Sequence, residues 1–311
     1  MITNLLLLTL LGLLILLLSA NYIIENIVFL AKKINVSKFI IASCTIAFGT
    51  TLPELTTSLK SVLSNPPHPG IAVGNLIGSN IANMLLIIGM SAIVYPIKIN
   101  SNKLINLELK ASFVILLFPA IIFFFKLGNN ASLFISVLML FFFIYFFKER
   151  IYLEKKKINE KINIKHSILL ILFKIFICVV GLLLGSHLLI NGSVEIAQHY
   201  KISERVIGLS LIAIGTSLPE LTTAVIASLK KKHGIALGTV LGANMYNILV
   251  LLSAVEIIQP SSILKNIESI DIYMLGISSI LLFFFINDKK ISKKQGLILL
   301  SVYILYIYSI Y

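Results

Sequence analysis

Two nearly identical decapeptides lie in the middle of apolar stretches of the chain: GTTLPELTTS at residues 49–58 and GTSLPELTTA at residues 215–224. Eight of the ten positions agree. Each copy contains one glutamate, Glu54 or Glu220, and an ionised carboxylate inside hydrocarbon costs about 3 kcal/mol or more. Repetition of so unfavourable a residue in the same context indicates a function for both glutamates, and we expect that function to be cation binding.

The composition predicts an all-α integral membrane protein. Of the 311 residues, 58% are hydrophobic and 13% are charged, which is too little polar surface for a soluble protein of this length. A transmembrane helix needs about 20 apolar residues. Runs of this kind predict ten spans, at residues 4–30, 37–64, 70–94, 104–125, 131–147, 167–190, 205–229, 234–258, 270–286 and 295–311.

The net charge of +13 predicts an orientation in the bilayer rather than a nucleic-acid partner. Of the 26 Lys and Arg residues, 20 fall in the loops that follow odd-numbered spans, five fall in the other loops and Lys174 falls inside a span. Basic residues stay on the cytoplasmic side. We therefore expect both termini to face outward across a bacterial inner membrane. The oligomeric state is left open, a monomer being sufficient.

The decapeptides belong to a longer internal repeat. They are offset by 166 residues, and further downstream GNLIGSNIAN at 74–83 pairs with GTVLGANMYN at 238–247, an offset of 164. Five spans per half is an odd number, so the second half enters the membrane from the opposite side. The prediction is two inverted five-helix repeats, residues 1–147 and 167–311, joined by a cytoplasmic linker loop at 148–166. Inverted repeats recur in secondary transporters, with the substrate site near the midplane.

The repeated motif predicts a strip of oxygen ligands. Pro53 and Pro219 lack an amide hydrogen, so they release the carbonyls of Gly49 and Gly215 from the helix ladder. Released carbonyls inside hydrocarbon need a partner; a neighbouring helix or water could serve, but a cation would satisfy a carbonyl and the glutamate together. On helical spacing, one face carries the residues Ala47, Thr50, Glu54 and Thr57 in the first copy and Ala213, Thr216, Glu220 and Thr223 in the second.

The downstream segments add Ser79 and Asn83 in one half, with Asn80 beside them, and Asn244 and Asn247 in the other; of these, we expect Asn80 and Asn244 to serve mainly packing and helix ends. Paired glycines (Gly74 and Gly78, Gly238 and Gly242) are expected to let these helices pack closely. With neither His nor Cys nearby, the ligand set favours hard cations such as sodium and calcium. Two glutamates without a nearby Lys or Arg carry a charge of minus two, which one calcium or about two sodium ions neutralise.

Calcium and sodium should therefore compete for one site, as exchange requires. Protons are a third candidate load, because two carboxylates in a dehydrated site also bind protons. These ions would be transported, so no resident cofactor is predicted.

At these residues the chain resembles the sodium/calcium exchangers of the cation/calcium exchanger superfamily, most closely the compact bacterial and archaeal branch. Two copies of Gly-Thr-x-x-Pro-Glu, each followed by Gly-x-x-x-Gly-Ser-Asn or a close variant, carry the resemblance, in residues 43–91 and 209–255. It implies an antiporter that moves calcium against a sodium gradient by alternating access. It also implies that helices two, three, seven and eight hold the site, while helices one and six slide across them.

The resemblance implies a ligand set that consists of Glu54, Glu220, Ser79, Asn83, Asn247, the hydroxyls and carbonyls of Thr50, Thr51, Thr216 and Ser217, and the carbonyls of Ala47 and Ala213. Two positions depart from the family pattern. Ala243 stands where many relatives have serine, and Asn247 stands where some microbial members have aspartate. The sodium stoichiometry is therefore open.

The main hypothesis is sodium-driven calcium antiport, and the close alternative is calcium/proton antiport at the same glutamates. A passive cation channel would show flux without a counter-ion. A membrane enzyme is disfavoured, because the chain contains neither His-Glu-x-x-His nor Gly-x-Ser-x-Gly. We therefore expect a transporter and not an enzyme.

Overall fold

The computed structural model describes residues 2–34, 36–99, 103–155, 167–200 and 215–310. Within these ranges the chain is almost entirely helical. The α-helices are α1 (Ile2–Ile34), α2 (Lys38–Ile41), α3 (Ala47–Thr50), α4 (Leu52–Leu63), α5 (Pro69–Ala82), α6 (Ile88–Val94), α7 (Lys103–Phe124), α8 (Asn129–Lys155), α9 (Ile168–His199), α10 (Leu218–Leu229), α11 (His233–Met245), α12 (Ser253–Ile258), α13 (Ser262–Asn266), α14 (Ser269–Asn287) and α15 (Lys293–Ile310).

Three π-helical segments, Ala42–Ile46, Asn83–Ile87 and Tyr246–Leu252, join α2 to α3, α5 to α6 and α11 to α12. Two short strands, β1 (Ile97–Lys98) and β2 (Lys290–Ile291), pair antiparallel, with Ile97 opposite Ile291. The sequence did not predict these strands, because two residues are too few to show an alternating pattern.

Six described segments are long and apolar enough to cross a membrane: Leu5–Ile34, Pro69–Val94, Asn129–Arg150, Ile168–Ile196, His233–Ile258 and Ser269–Asn287. A seventh is formed by Lys38–Thr50 and Leu52–Leu63 together, bent by 42°. Large apolar side chains such as Leu169 and Phe141 are exposed on the outside of the bundle, where lipid would cover them. The prediction of a helical membrane protein is confirmed. Of the predicted span 205–229, residues 205–214 lie outside the described part.

Helices α1 and α9 form a close antiparallel pair at the periphery. A Cβ atom on Gly12 would lie 2.8 Å from the carbonyl oxygen of Gly185, and a Cβ on Gly185 would lie 2.8 Å from that of Gly12. The two backbones therefore touch directly, as in membrane helix pairs that small residues hold together. Only about a third of each helix is buried in its most apolar window, 28% for α1 and 33% for α9.

The centre of the bundle is formed by the segments that carry the repeated motifs. The most apolar window is 72% buried in Pro69–Val94 and 94% buried in His233–Ile258. Helix α4 packs on α5, α10 packs on α11 and α6, and the π-helical segment 246–252 packs on α5. These contacts bring both motifs into one interior region.

The glycines of α11 allow a close helix contact. A Cβ on Gly242 would lie 2.7 Å from the Cβ of Ala47 and 2.7 Å from the carbonyl oxygen of Ser43, and Gly238 lies against Phe39 and Ala42. For Gly74 and Gly78, no described atom lies within 4 Å of such a Cβ. The residues equivalent by the repeat to Phe39, Ala42, Ser43 and Ala47 fall in 205–213, outside the described part.

Two charged residues lie differently from what the sequence suggested. Helix α8 continues to Lys155, so residues 148–155 of the predicted linker loop are helical, and Arg150 is buried against the sulfur of Met245. Glu256, which the sequence places near a span end, is fully buried. Its carboxylate accepts hydrogen bonds from the Ser132 hydroxyl at 2.7 Å and from the backbone N–H groups of Ser261 and Ile263 at 2.7 and 2.8 Å.

Candidate cation site

Each repeated motif contains a break in its helix just before the proline. Thr51 has φ −82° and ψ 2°, and Ser217 has φ −91° and ψ 6°, a bridge conformation that neither α-helix continues. The following helices, α4 and α10, begin with proline in the first two positions, where its missing N–H is not needed. Glu54 and Glu220 consequently lie in the first turn of a helix, where the helix dipole favours a carboxylate.

Both glutamates are buried, with exposed fractions of 0% for Glu54 and 1% for Glu220. Oε1 of Glu54 accepts a hydrogen bond from the Ser79 hydroxyl at 3.2 Å. Oε2 of Glu54 and both carboxylate oxygens of Glu220 lack a hydrogen-bond partner at standard geometry among the described residues. Glu220 is close enough to Glu54 to interact with it electrostatically, and it also lies beside the hydroxyl of Thr50.

Ser79 links the two repeats. Besides Glu54, its hydroxyl lies 3.3 Å from the hydroxyl of Ser217 and accepts a hydrogen bond from Nδ2 of Asn247 at 3.2 Å. One hydroxyl on α5 therefore contacts α4, the break before α10 and the π-helical segment of the other half. This contact brings predicted site residues from both repeats together.

The two asparagines that the sequence singled out lie at or next to the start of a π-helical segment. Asn83 starts the segment 83–87, and Asn247 is second in the segment 246–252. Nδ2 of Asn83 donates to Oδ1 of Asn244 at 2.9 Å. The Oδ1 atoms of Asn83 and Asn247 have no partner among the described residues. Such π-turns widen a helix and frequently mark functional sites.

Ala243 occupies the position in the second repeat that Ser79 occupies in the first, and the contacts of the two residues differ accordingly. The Ala243 methyl packs with Ala47 and Tyr246. The residues equivalent to the three contacts of Ser79 are Glu220, Thr51 and Asn83, and a hydroxyl at position 243 would be expected to contact them. Glu220 lacks a described partner, the Thr51 hydroxyl donates to the carbonyl of Phe48 in its own helix at 3.1 Å, and Asn83 donates to Asn244.

The other predicted ligands have varied surroundings. The Thr50 hydroxyl donates within its helix, at 3.0 Å to the carbonyl of Ile46 and at 3.3 Å to that of Ala47. The Ala47 carbonyl also accepts the N–H of Thr51 at 3.0 Å. Thr216 lies half-buried in the break before Leu218. Ala213 lies outside the described residues.

The Gly215 carbonyl, which Pro219 releases from the helix ladder, has a partner in a neighbouring helix. The Ser186 hydroxyl of α9 donates a hydrogen bond to it at 3.0 Å. Of the partners that the sequence left open for this carbonyl, a neighbouring helix supplies one in the second repeat. Nothing in the sequence marks Ser186, because the contact depends on how α9 crosses the break.

The site is rich in buried oxygen acceptors that lack donors. Among the described residues these are Oε2 of Glu54, Oε1 and Oε2 of Glu220, and Oδ1 of Asn83 and Asn247. Leaving a buried acceptor unpaired costs roughly 1–3 kcal/mol, and more for a charged group. No group of three or more His, Cys, Asp or Glu side chains that could hold a metal occurs in the described part of the chain. The arrangement suits a cation that takes carboxylate and amide oxygens together.

Known proteins resemble this chain over its whole length. A family model described as sodium/calcium exchanger protein matches residues 4–147 and 167–311. The sodium/calcium exchanger MaX1 of Methanosarcina acetivorans is 30% identical over 99% of this chain and 98% of its own length. An uncharacterised membrane protein of Methanocaldococcus jannaschii is 34% identical over 97% of this chain and 96% of its own length.

The fold is also similar to a solved structure. The sodium/calcium exchanger from Methanococcus jannaschii superposes with a TM-score of 0.85, at 31% identity and with 99% of each chain covered. The resemblance that the two Pro-Glu motifs suggested is thereby confirmed. The chain belongs to the sodium/calcium exchanger family.

Proposed function

We propose that this chain is a secondary active antiporter that exchanges calcium for sodium across a membrane. The observation that carries the proposal is a set of five buried oxygens without a described hydrogen-bond partner. Three of them belong to the two glutamates, one from each repeat, and two belong to Asn83 and Asn247. Similarity to proteins named sodium/calcium exchangers supports the choice of ions.

The charge of the site supports exchange rather than simple binding. Two carboxylates buried in one region repel each other and are neutralised by one calcium ion or by about two sodium ions. A low dielectric penalises both the empty dianion and an excess of cations, so each load must leave before the other enters. The ligands proposed for these loads are Glu54, Glu220, Ser79, Asn83, Asn247, Thr50, Thr51, Thr216, Ser217 and the carbonyls of Ala47 and Ala213.

For the architecture we propose ten transmembrane helices in two inverted five-helix repeats, residues 1–147 and 167–311, with a connection on the cytoplasmic side. The pairing of β1 with β2 supports this topology, because they follow the third and ninth predicted spans, which end on the same side. The ion pair of Glu25 with Lys230 at 2.8 Å joins the ends of the first and seventh spans and supports it equally. Both termini would then face outward from a bacterial inner membrane.

For the mechanism we propose alternating access. The α1 and α9 pair is held together by backbone contact at Gly12 and Gly185 and lies at the periphery. A pair bound in this way can move as one unit across the core that holds the glutamates. Such a movement would open the site to one side of the membrane at a time.

Calcium uptake into liposomes that contain the purified protein tests the function. Liposomes loaded with sodium are diluted into calcium without sodium, and matched liposomes are loaded with choline or with acidic buffer. We expect uptake only from the sodium-loaded set. Uptake driven by acid without sodium would replace the proposal by calcium/proton antiport, and uptake with choline inside would indicate a channel.

A further inference from the structure

We propose that Asn244 is a positioning residue for the cation ligand Asn83. It accepts the hydrogen bond that a hydroxyl at position 243 would otherwise accept from Asn83. The inference rests on the proposed function, because it assigns a role within the same site. It names a residue that is not a ligand itself and explains how the second repeat works without a serine at Ala243.

The two repeats differ in the residue that can orient the asparagine ligand. In one half, the Asn247 amide donates to the Ser79 hydroxyl at 3.2 Å, which leaves Oδ1 of Asn247 directed away from that bond. By the offset of 164 residues, the counterpart of this pair is Asn83 with Ala243. Alanine offers no acceptor, so Asn83 cannot be oriented in the same way.

Asn244 supplies the missing acceptor from the next position along α11. Its Oδ1 accepts the amide of Asn83 at 2.9 Å, and both side chains are buried, with exposed fractions of 4% for Asn244 and 0% for Asn83. The oxygen and nitrogen of an amide share one carbon, so holding Nδ2 of Asn83 fixes the direction of its Oδ1. Contacts of this kind, which orient a ligand without touching the metal, typically change metal affinity 10- to 100-fold.

Asn244 also lines a small, mostly apolar cavity. This cavity lies between α5, α7, α11 and α14, and its polar lining comes from Asn80, Ser112, Asn244 and Ser279. Its volume of about 10 Å³ matches the room that one water molecule needs. Nδ2 of Asn244 has no partner among the described residues, and Oδ1 is the atom that accepts the hydrogen bond of Asn83.

Asn80 is the sequence counterpart of Asn244, and among the described residues it makes no hydrogen bond to an asparagine of the other repeat. Its Nδ2 donates to the carbonyl of Leu76 in its own helix at 2.7 Å. In the first repeat Ser79 already accepts the hydrogen bond of Asn247, so Asn80 is not needed to orient that asparagine. Asn80 is therefore the matched control for Asn244.

The test measures calcium binding to the purified protein, as the rise in thermal unfolding temperature with calcium concentration. We expect N244A to bind calcium about tenfold more weakly, whereas N80A binds it as the unaltered protein does. In the double variant A243S/N244A, a hydroxyl returns at the position equivalent to Ser79, and we expect most of the affinity to return with it.

Coupling to Asn83 separates positioning from a general structural effect. If Asn244 acts through Asn83, N244A causes little further loss in an N83A background. Calcium affinity unchanged in N244A, or losses that add in the double variant N83A/N244A, would overturn the inference. Because the assay measures binding without transport, calcium binding in the absence of sodium-driven uptake would contradict the proposed function and leave this inference intact.

Discussion

The Ser79 hydroxyl donates a hydrogen bond to Oε1 of Glu54 at 3.2 Å and so joins α5 to α4 within the first repeat. The same hydroxyl reaches Ser217 and Asn247. The second repeat has Ala243 at the equivalent position and so lacks a second contact of this kind. The candidate cation site is consequently asymmetric: a hydroxyl donates to Glu54, whereas the oxygens of Glu220 have no hydrogen-bond partner at standard geometry among the described residues.

Replacing Ser79 by alanine should weaken calcium binding by about 10- to 100-fold, because Glu54 and Asn247 lose the group that orients them. Calcium titration of the thermal unfolding temperature measures the effect. Ser278→Ala is the control, since among the described residues that hydroxyl donates to the Leu275 carbonyl and to the Met84 sulfur and not to a glutamate. Equal affinities of the two variants would show that Ser79 does not organise the site.

Glu54→Gln and Glu220→Gln should each abolish sodium-driven calcium uptake without preventing membrane insertion. One charge interaction at 4 Å is worth about 4 kcal/mol at an effective dielectric constant of about 20, which corresponds to roughly 1000-fold in affinity. Uptake into liposomes checks this. If both variants still transported calcium, the assignment of the glutamates as ligands would be wrong.

Glu256→Gln should lower stability by about 1–3 kcal/mol and leave calcium affinity unchanged. The carboxylate accepts two backbone N–H groups and one hydroxyl, and the glutamine amide presents a donor where an acceptor is needed. Thermal unfolding and calcium titration separate the two effects. A loss of calcium affinity in a protein of normal stability would instead make Glu256 part of the ion pathway.

Gly185→Ala should reduce both stability and the rate of exchange, because the added methyl would lie 2.7 Å from the backbone nitrogen of Leu16. Overpacking of this kind typically costs about 1–3 kcal/mol. The control is Gly276→Ala in α14, where the nearest atom to the new methyl is 4.0 Å away. Thermal unfolding and uptake rates compare the variants, and unaltered values for Gly185→Ala would argue against a close α1–α9 seam.

Much of this protein could be predicted from the sequence because hydropathy and short repeated motifs are local properties. The apolar runs predicted a helical membrane protein, and the Pro-Glu motifs predicted both glutamates and the family. Pro53 and Pro219 also predicted where the helices break, since proline has no N–H to donate to the carbonyl four residues earlier. The C-terminal end of α8 was not predicted, because the charged residues 148–155 resemble a loop in the sequence. Arg150 is instead buried against Met245, a contact that only the folded chain shows.

The sequence by itself determined the helices, the two breaks and the pair of acidic residues, because each follows from residues within one or two turns of the chain. Only the tertiary structure decided which groups face one another across the site. It directs Ser186 to the Gly215 carbonyl, buries Glu256 among backbone donors, and pairs Asn83 with Asn244 where Ala243 offers no hydroxyl. These partners are distant in sequence, and buried polar groups take whichever donor or acceptor the packed helices bring within reach.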